Sequence, residues 1–161
     1  MVTTAIINPG QAVGQCVDPQ RAKFFRGNKA GTFAVNRGDI LVKDTGTAPD
    51  SYKVNAAGAA IPGPFYIATQ PAALTDLKVS LAQGGLWYVT GGDTIEPGDD
   101  VMLSTTVNGQ TVKSTVISTV PLYQAKVGVS MGFADSYGSG LPVASVIGDL
   151  YVLDLNAGYD G

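Results

Sequence analysis

Apolar residues along the chain fall in short runs bounded by Gly, Pro, Asn and Asp, and helical spacing is nowhere sustained. Over 122–131, Tyr123, Ala125, Val127, Val129 and Met131 alternate with Gln124, Lys126, Gly128 and Ser130. That period of two predicts a half-buried antiparallel strand with the first set facing the core. The runs at 38–43, 65–68, 86–89 and 149–155 are rich in β-branched and aromatic residues, and each predicts a strand. Residues 71–81 fit two patterns. Leu74, Leu77 and Leu81 after Pro71 suit a helix, whereas Leu77, Val79 and Leu81 alternating with Lys78 and Ser80 suit a strand. The β-rich surroundings favour a strand over 77–82.

The punctuation supports the same class. Gly38-Asp39, Gly98-Asp99 and Gly148-Asp149 each stand directly before a strand-like segment. Glycine provides a tight turn and aspartate bonds back to the local backbone, so each pair reads as a turn that launches a strand. Asn108-Gly109, between Thr105-Thr106-Val107 and Gln110-Thr111-Val112, predicts a two-residue hairpin, because both turn positions tolerate positive φ. The expected fold is all-β: a small antiparallel barrel or sandwich over 38–161. Residues 1–37 differ. Pro9, Gly10, Gly14, Pro19, Gly27 and Gly31 interrupt them, and Arg21, Lys23, Arg26, Lys29 and Arg37 form a run with no acid between Asp18 and Asp39. They read either as an extended N-terminal arm crossing its own barrel or a neighbour, or as an irregular first strand and loop; the arm is the division adopted.

Composition narrows the function. The chain has 161 residues, with 21 Gly and 9 Pro, enough turn formers for a β fold, and 45% hydrophobic residues, enough for a core. Net charge is −3, which lacks the basic footprint of a nucleic-acid binder. The charge is uneven: residues 1–92 carry eight Lys/Arg and five Asp/Glu, net +3, and residues 93–161 carry two Lys and eight Asp/Glu, net −6. Such asymmetry favours head-to-tail or layered contacts. No apolar stretch is long enough to span a membrane, and no signal peptide is expected at the N-terminus. A single cysteine, Cys16, allows no intrachain disulfide and fits synthesis in a reducing cytoplasm.

Catalytic chemistry finds little to stand on. The chain has no histidine, which removes Ser-His-Asp triads, Cys-His dyads and nearly all zinc sites. Asp93, Glu96, Asp99 and Asp100 cluster as oxygen donors for a cation, but match no EF-hand spacing and read as solvated turn carboxylates. Arg37-Gly38-Asp39 spells an integrin-type tripeptide that runs straight into a strand. Ala157-Gly158-Tyr159-Asp160 is similar to a short motif of trimeric dUTP pyrophosphatases, but sits at the wrong end of the chain and lacks that family's companion motifs. No catalytic residue, cofactor or metal site is expected.

The order of segments resembles the capsid-cement, or head-decoration, proteins of tailed bacteriophages. It runs from a Gly-Asp start at 38–42, through a small-residue stretch and Pro-Gly turn at 56–64, to a strand pair across a glycine turn at 79–89. Thr94-Ile95-Glu96-Pro97-Gly98-Asp99-Asp100-Val101, the Asn-Gly hairpin, the Lys-Val-Gly-Val strand at 126–129 and the final strand at 148–153 complete it. The resemblance implies a non-enzymatic virion protein, made in the host cytoplasm, on the outer capsid surface. Such proteins are often homotrimers that clamp adjacent major-capsid-protein subunits, with no nucleic acid or membrane as partner. Under this reading Ile6, Ile7, Arg21, Lys23, Phe24, Phe25, Arg26 and Lys29 are the expected capsid contacts. An extended arm can add to a neighbouring sheet edge, and its charge suits an acidic capsid surface. The alternatives are a carbohydrate- or receptor-binding β module, signalled by exposed Trp87 and Tyr88 or Tyr137 and Tyr151, and the dUTP pyrophosphatase-like enzyme, which would need Tyr159.

Overall fold

The computed structural model describes residues 11–44, 50–54, 64–104, 107, 110–113 and 126–156. Among them are eleven strands: β1 (Cys16–Asp18), β2 (Lys23–Lys29), β3 (Ile40–Lys43), β4 (Ser51–Val54), β5 (Phe65–Ala68), β6 (Lys78–Gln83), β7 (Leu86–Thr90), β8 (Asp100–Leu103), β9 (Thr111–Lys113), β10 (Lys126–Phe133) and β11 (Leu150–Leu155). Residues 78–83 form the strand that alternation favours over a helix. The fold is all-β, as expected. It contains a closed barrel, β2-β4-β3-β5-β6, and a six-stranded antiparallel sheet, β1-β7-β11-β10-β8-β9.

The two halves share one topology. In the barrel, β3 pairs antiparallel with β4 and β5, and β6 pairs antiparallel with β5 and β2. In the sheet, β8 pairs antiparallel with β9 and β10, and β11 pairs antiparallel with β10 and β7. The strands β2–β6 and β7–β11 are thus the same five-strand unit written twice. A parallel β2–β4 pair closes the first unit. The second has at the same place a single parallel bridge, Gly91–Thr111. Its ladder goes no further toward Leu86 because β1 occupies that edge of β7, pairing Cys16 with Trp87.

Alternation along the barrel strands builds two cores. Leu41, Tyr52, Tyr66, Val79 and Leu81 fill the barrel, with Phe25 and Phe33 against them. Their neighbours Ile40, Val42, Phe65, Ile67 and Ala82 point the other way. They pack on Trp87, Val89, Val101, Tyr151 and Leu153 of the second unit. Strands β3 and β5 are buried on both faces, which explains why Ile40-Leu41-Val42 and Phe65-Tyr66-Ile67-Ala68 are unbroken apolar runs.

Each strand launch is a real turn. The Asp39, Asp99 and Asp149 amides donate to the carbonyls of Asn36, Glu96 and Val146, each at 3.1 Å. Gly38, Gly98 and Gly148 take φ of 90°, 88° and 87°, as a type II turn demands at that position. A fourth copy, at 73–76, has no glycine: the Asp76 amide donates to the Ala73 carbonyl at 3.1 Å. Antiparallel bridges Val35–Ala72 and Ile95–Ser145 pair these turns, one pair in each unit.

Two expectations change. The described part of the expected arm, residues 11–37, does not stand apart: Lys23 to Asn28 pair with Gln83 to Lys78, and Asn28 and Lys29 pair with Ser51 and Tyr52. Strand β2 is a stave of the barrel because its backbone finds partners on both edges. The face assigned to β10 also changes. Val127 is buried, but Val129 is half-buried, Met131 is exposed, and Gly128, Ser130 and Gly132 face inward. A bulge between Lys126 and Gly128, where two steps of β10 pass one of β8, moves the following residues to the other face. Tyr123 and Ala125 lie outside the described residues, as does the Asn108-Gly109 turn, although β8 and β9 pair as the hairpin requires. Gly128 is tightly held: a Cβ there would run into the Asp154 carbonyl oxygen. Gly128→Ala is therefore expected to cost about 3 kcal/mol, read as a lower thermal midpoint.

Candidate docking surface

Strand alternation sorts the basic, aromatic segment at 21–29. On β2 the even positions face out. Phe24 is 53% exposed, its inner edge against Trp87 at a centroid distance of 5.8 Å. Arg26 is exposed beside it, and Lys23 at the strand start is exposed too. Arg21, just before the strand, sits 3.9 Å from the Asp154 carboxylate. Burial pushes the Asp154 carboxyl above its ordinary range, and Arg21 opposes that shift.

From Phe25 on, the odd positions face in. Phe25 packs edge-on against Tyr66 and tilted against Tyr52, so it belongs to the barrel core. Gly27 lies directly on the Tyr52 ring, where any Cβ would collide. Lys29 is buried, and its Nζ donates to the carbonyls of Gly31, Phe33 and Leu74 at 3.0, 2.7 and 3.0 Å. It also lies 4.7 Å from the Phe33 ring centroid. Lys29 is thus a plug that ties β2 to the 69–77 connection, not a surface contact. Lys29→Met removes three donors from buried carbonyls and is expected to cost about 1–3 kcal/mol in urea unfolding, with unchanged surface binding by the folded fraction. Ile6 and Ile7 lie outside the described residues. Of the expected contact set, Arg21, Lys23, Phe24 and Arg26 are exposed; Phe24 and Arg26 share one face of β2, and Lys23 falls on the other.

The carboxylates of the acidic cluster face lysines or the backbone. Glu96 and Asp99 face Lys113 at 3.9 and 3.4 Å, and Asp100 faces Lys126 at 2.8 Å. Asp93 accepts from the Thr94 amide. No cluster of three or more metal-ligating side chains occurs among the described residues. Burial raises the Cys16 thiol pKa, opposite to what an activated nucleophile needs. Of the residues that would signal a sugar-binding groove, Trp87 and Tyr151 are buried, Tyr88 is half-buried and Tyr137 is exposed; Tyr159 lies outside the described residues. The Tyr151 hydroxyl is 2.6 Å from Thr111 Oγ1, and burial raises its pKa far above the phenol range.

A second surface escaped sequence reading. Between β10 and β11, Leu141, Val143, Val146 and Ile147 are 81%, 51%, 55% and 67% exposed. The segment is braced from within. Ser136 Oγ donates to the Phe133 carbonyl and accepts from the Val143 amide, and the Phe133 amide donates to the Val143 carbonyl. Ser145 is turned in and bridged to Ile95. The loop is an apolar platform held in shape by its own hydrogen bonds. The sequence signal was there, as six apolar residues among seven at 141–147, but the Gly/Ser run before them reads as an ordinary linker.

No protein-family model and no curated protein matches the chain. Among solved structures, the chain is similar to the N base of the head fiber gp8.5 of bacteriophage phi29. The TM-score is 0.53 at 18% identity, over 83% of this chain and 93% of that one. The likeness is one of fold.

Proposed function

We propose that the chain is a structural protein of a phage virion, a decoration protein that binds the outer capsid surface and stabilises contacts between major-capsid subunits. The observation that carries this reading is the likeness in fold to a phage head-fiber base across most of both chains. The surface supports it. Phe24 is an exposed aromatic anchor, and the exposed cations Arg21 and Lys23 lie within three residues of it along the chain, suited to an acidic capsid lattice. Many copies on one lattice turn a modest contact into strong retention. Neither an activated nucleophile nor a metal cluster among the described residues favours an enzyme.

The test is co-sedimentation with expanded empty capsids lacking this protein. Binding should saturate at a fixed copy number per capsid subunit. Failure to sediment at any concentration would overturn the reading. Phe24→Ala with Lys23→Glu is expected to weaken capsid binding about a hundredfold, since each 1.4 kcal/mol is tenfold and the pair removes an anchor and reverses a rim charge. Lys23 is exposed and Phe24 touches the core only along its edge against Trp87, so the melting temperature should fall by no more than about 2–4 °C.

A further inference from the structure

We propose that copies of this chain associate head to tail, with the apolar 137–148 loop of one copy seated in the groove beside β6 of the next. The loop is the knob. From Ser136 to Gly148 it carries no charged residue, and Asp135 and Asp149 bracket it. At Gly138, Gly140 and Gly148 it faces open space: a Cβ added at any of them would meet nothing within 4 Å. Exposed aliphatic side chains this dense, on a segment already braced by its own hydrogen bonds, are costly in water unless something covers them. The bracing also means that little ordering entropy is lost on contact.

The groove is the hole. In the first unit the equivalent connection, between β5 and β6, is shorter, and beside it lies an open groove of about 580 Å³. Pro71 and Leu77 line it, Leu77 being 80% exposed, and Arg26 and Lys78 stand on its wall. One acid, Asp76, also lines it, with its carboxylate Oδ2 accepting the Ala73 amide. The same structural position is therefore a protruding apolar knob with acidic flanks in one unit and, in the other, a groove of mixed lining in which Pro71 and the exposed Leu77 stand among polar side chains, with two cations and one acid. The wider charge runs the same way, net +3 over residues 1–92 and net −6 over 93–161. Identical copies cannot match knob to groove by facing one another with the same patch in a single contact. The contact is heterologous, giving a closed ring if the rotation closes and a chain if it does not. Arg26 belongs to this contact and not to the capsid face.

Sedimentation velocity of the full chain, without capsids, tests this. The wild type should form a discrete oligomer. A loop variant, Leu141→Asp with Ile147→Asp, and a groove variant, Leu77→Glu with Lys78→Glu, should each be monomeric at the same concentration with unchanged far-ultraviolet circular dichroism. An equimolar mixture of the two should recover a heterodimer, because the groove of the first and the loop of the second remain intact. A wild type monomeric up to the highest soluble concentration would overturn the proposal. So would oligomers that survive either variant, persistence in the groove variant alone indicating loop against loop, or a mixture that stays monomeric while the wild type assembles. Loop variants that keep the oligomer but lose capsid sedimentation would also overturn it, by giving the loop to the capsid. Because no capsid is present, a negative result leaves the capsid reading to its own test.

Discussion

Deleting residues 1–36 should abolish cooperative folding, with loss of the β-type circular dichroism signal and of a urea transition. The truncation removes β2, which pairs with β6 along its whole length and closes the barrel against β4. It exposes the inner edges of both neighbours and takes away Phe25, the ring contacts to Tyr52 and Tyr66, and the Lys29 plug. It also removes Val35, which is buried and bridged to Ala72. The lost burial and hydrogen bonding together exceed the roughly 5–15 kcal/mol by which such domains are stable. A truncated protein with a wild-type urea midpoint would show that β2 is dispensable and restore a separable arm. The consequence for function is practical: loss of capsid binding in this truncation reports unfolding, so docking must be probed by point substitutions such as those at Lys23 and Phe24.

Trp87→Ala is expected to cost about 3–5 kcal/mol, a large part of total stability. Trp87 is 1% exposed and sits where the two units meet, among residues contributed by β3, β5, β7, β8 and β11. Its indole Nε1 donates to the Gly84 carbonyl at 2.7 Å, anchoring the turn between β6 and β7. Truncation leaves a cavity and an unpaired carbonyl at the same point. Trp87→Phe keeps most of the volume and loses the hydrogen bond, so its cost should be nearer about 1–2 kcal/mol. Urea unfolding followed by circular dichroism gives both numbers. Because Trp87 is the sole tryptophan, its emission in the wild type should shift to the red on unfolding. Equal stability of the alanine variant and the wild type would mean that the two units do not depend on this packing.

Local chemistry made much of the fold legible. Strand existence follows from side-chain alternation and turn residues, which act over a few neighbouring positions. Hence the runs at Ile40, Phe65, Leu86 and Leu150, the strand at Lys78–Gln83 and the three Gly-Asp turns were readable without any partner strand. The absence of histidine bore on catalysis directly, since no folding can supply a missing side chain. The two-unit repeat was hidden because the units share topology, not residues: the fourth turn, Ala73 to Asp76, does without glycine, and only its hydrogen bond reveals it.

What the sequence by itself determined, then, is the β class, the turns and the absence of histidine, because those depend on residue type and short-range geometry. Tertiary structure alone decided which side of each strand is inside and what each segment touches. Phe24 and Phe25 are adjacent and alike, yet one faces solvent and the other fills the barrel, since β2 lies between β6 and β4. Lys29 reads as one more charge in a basic run, yet it is buried because the carbonyls of Gly31, Phe33 and the distant Leu74 converge on it. Val129 and Met131 lose the core to Gly128 and Ser130 through a bulge set by pairing with β8. In each case the deciding partner comes from another part of the chain, and pairing between distant segments is a property of the folded sheet that local periodicity does not encode.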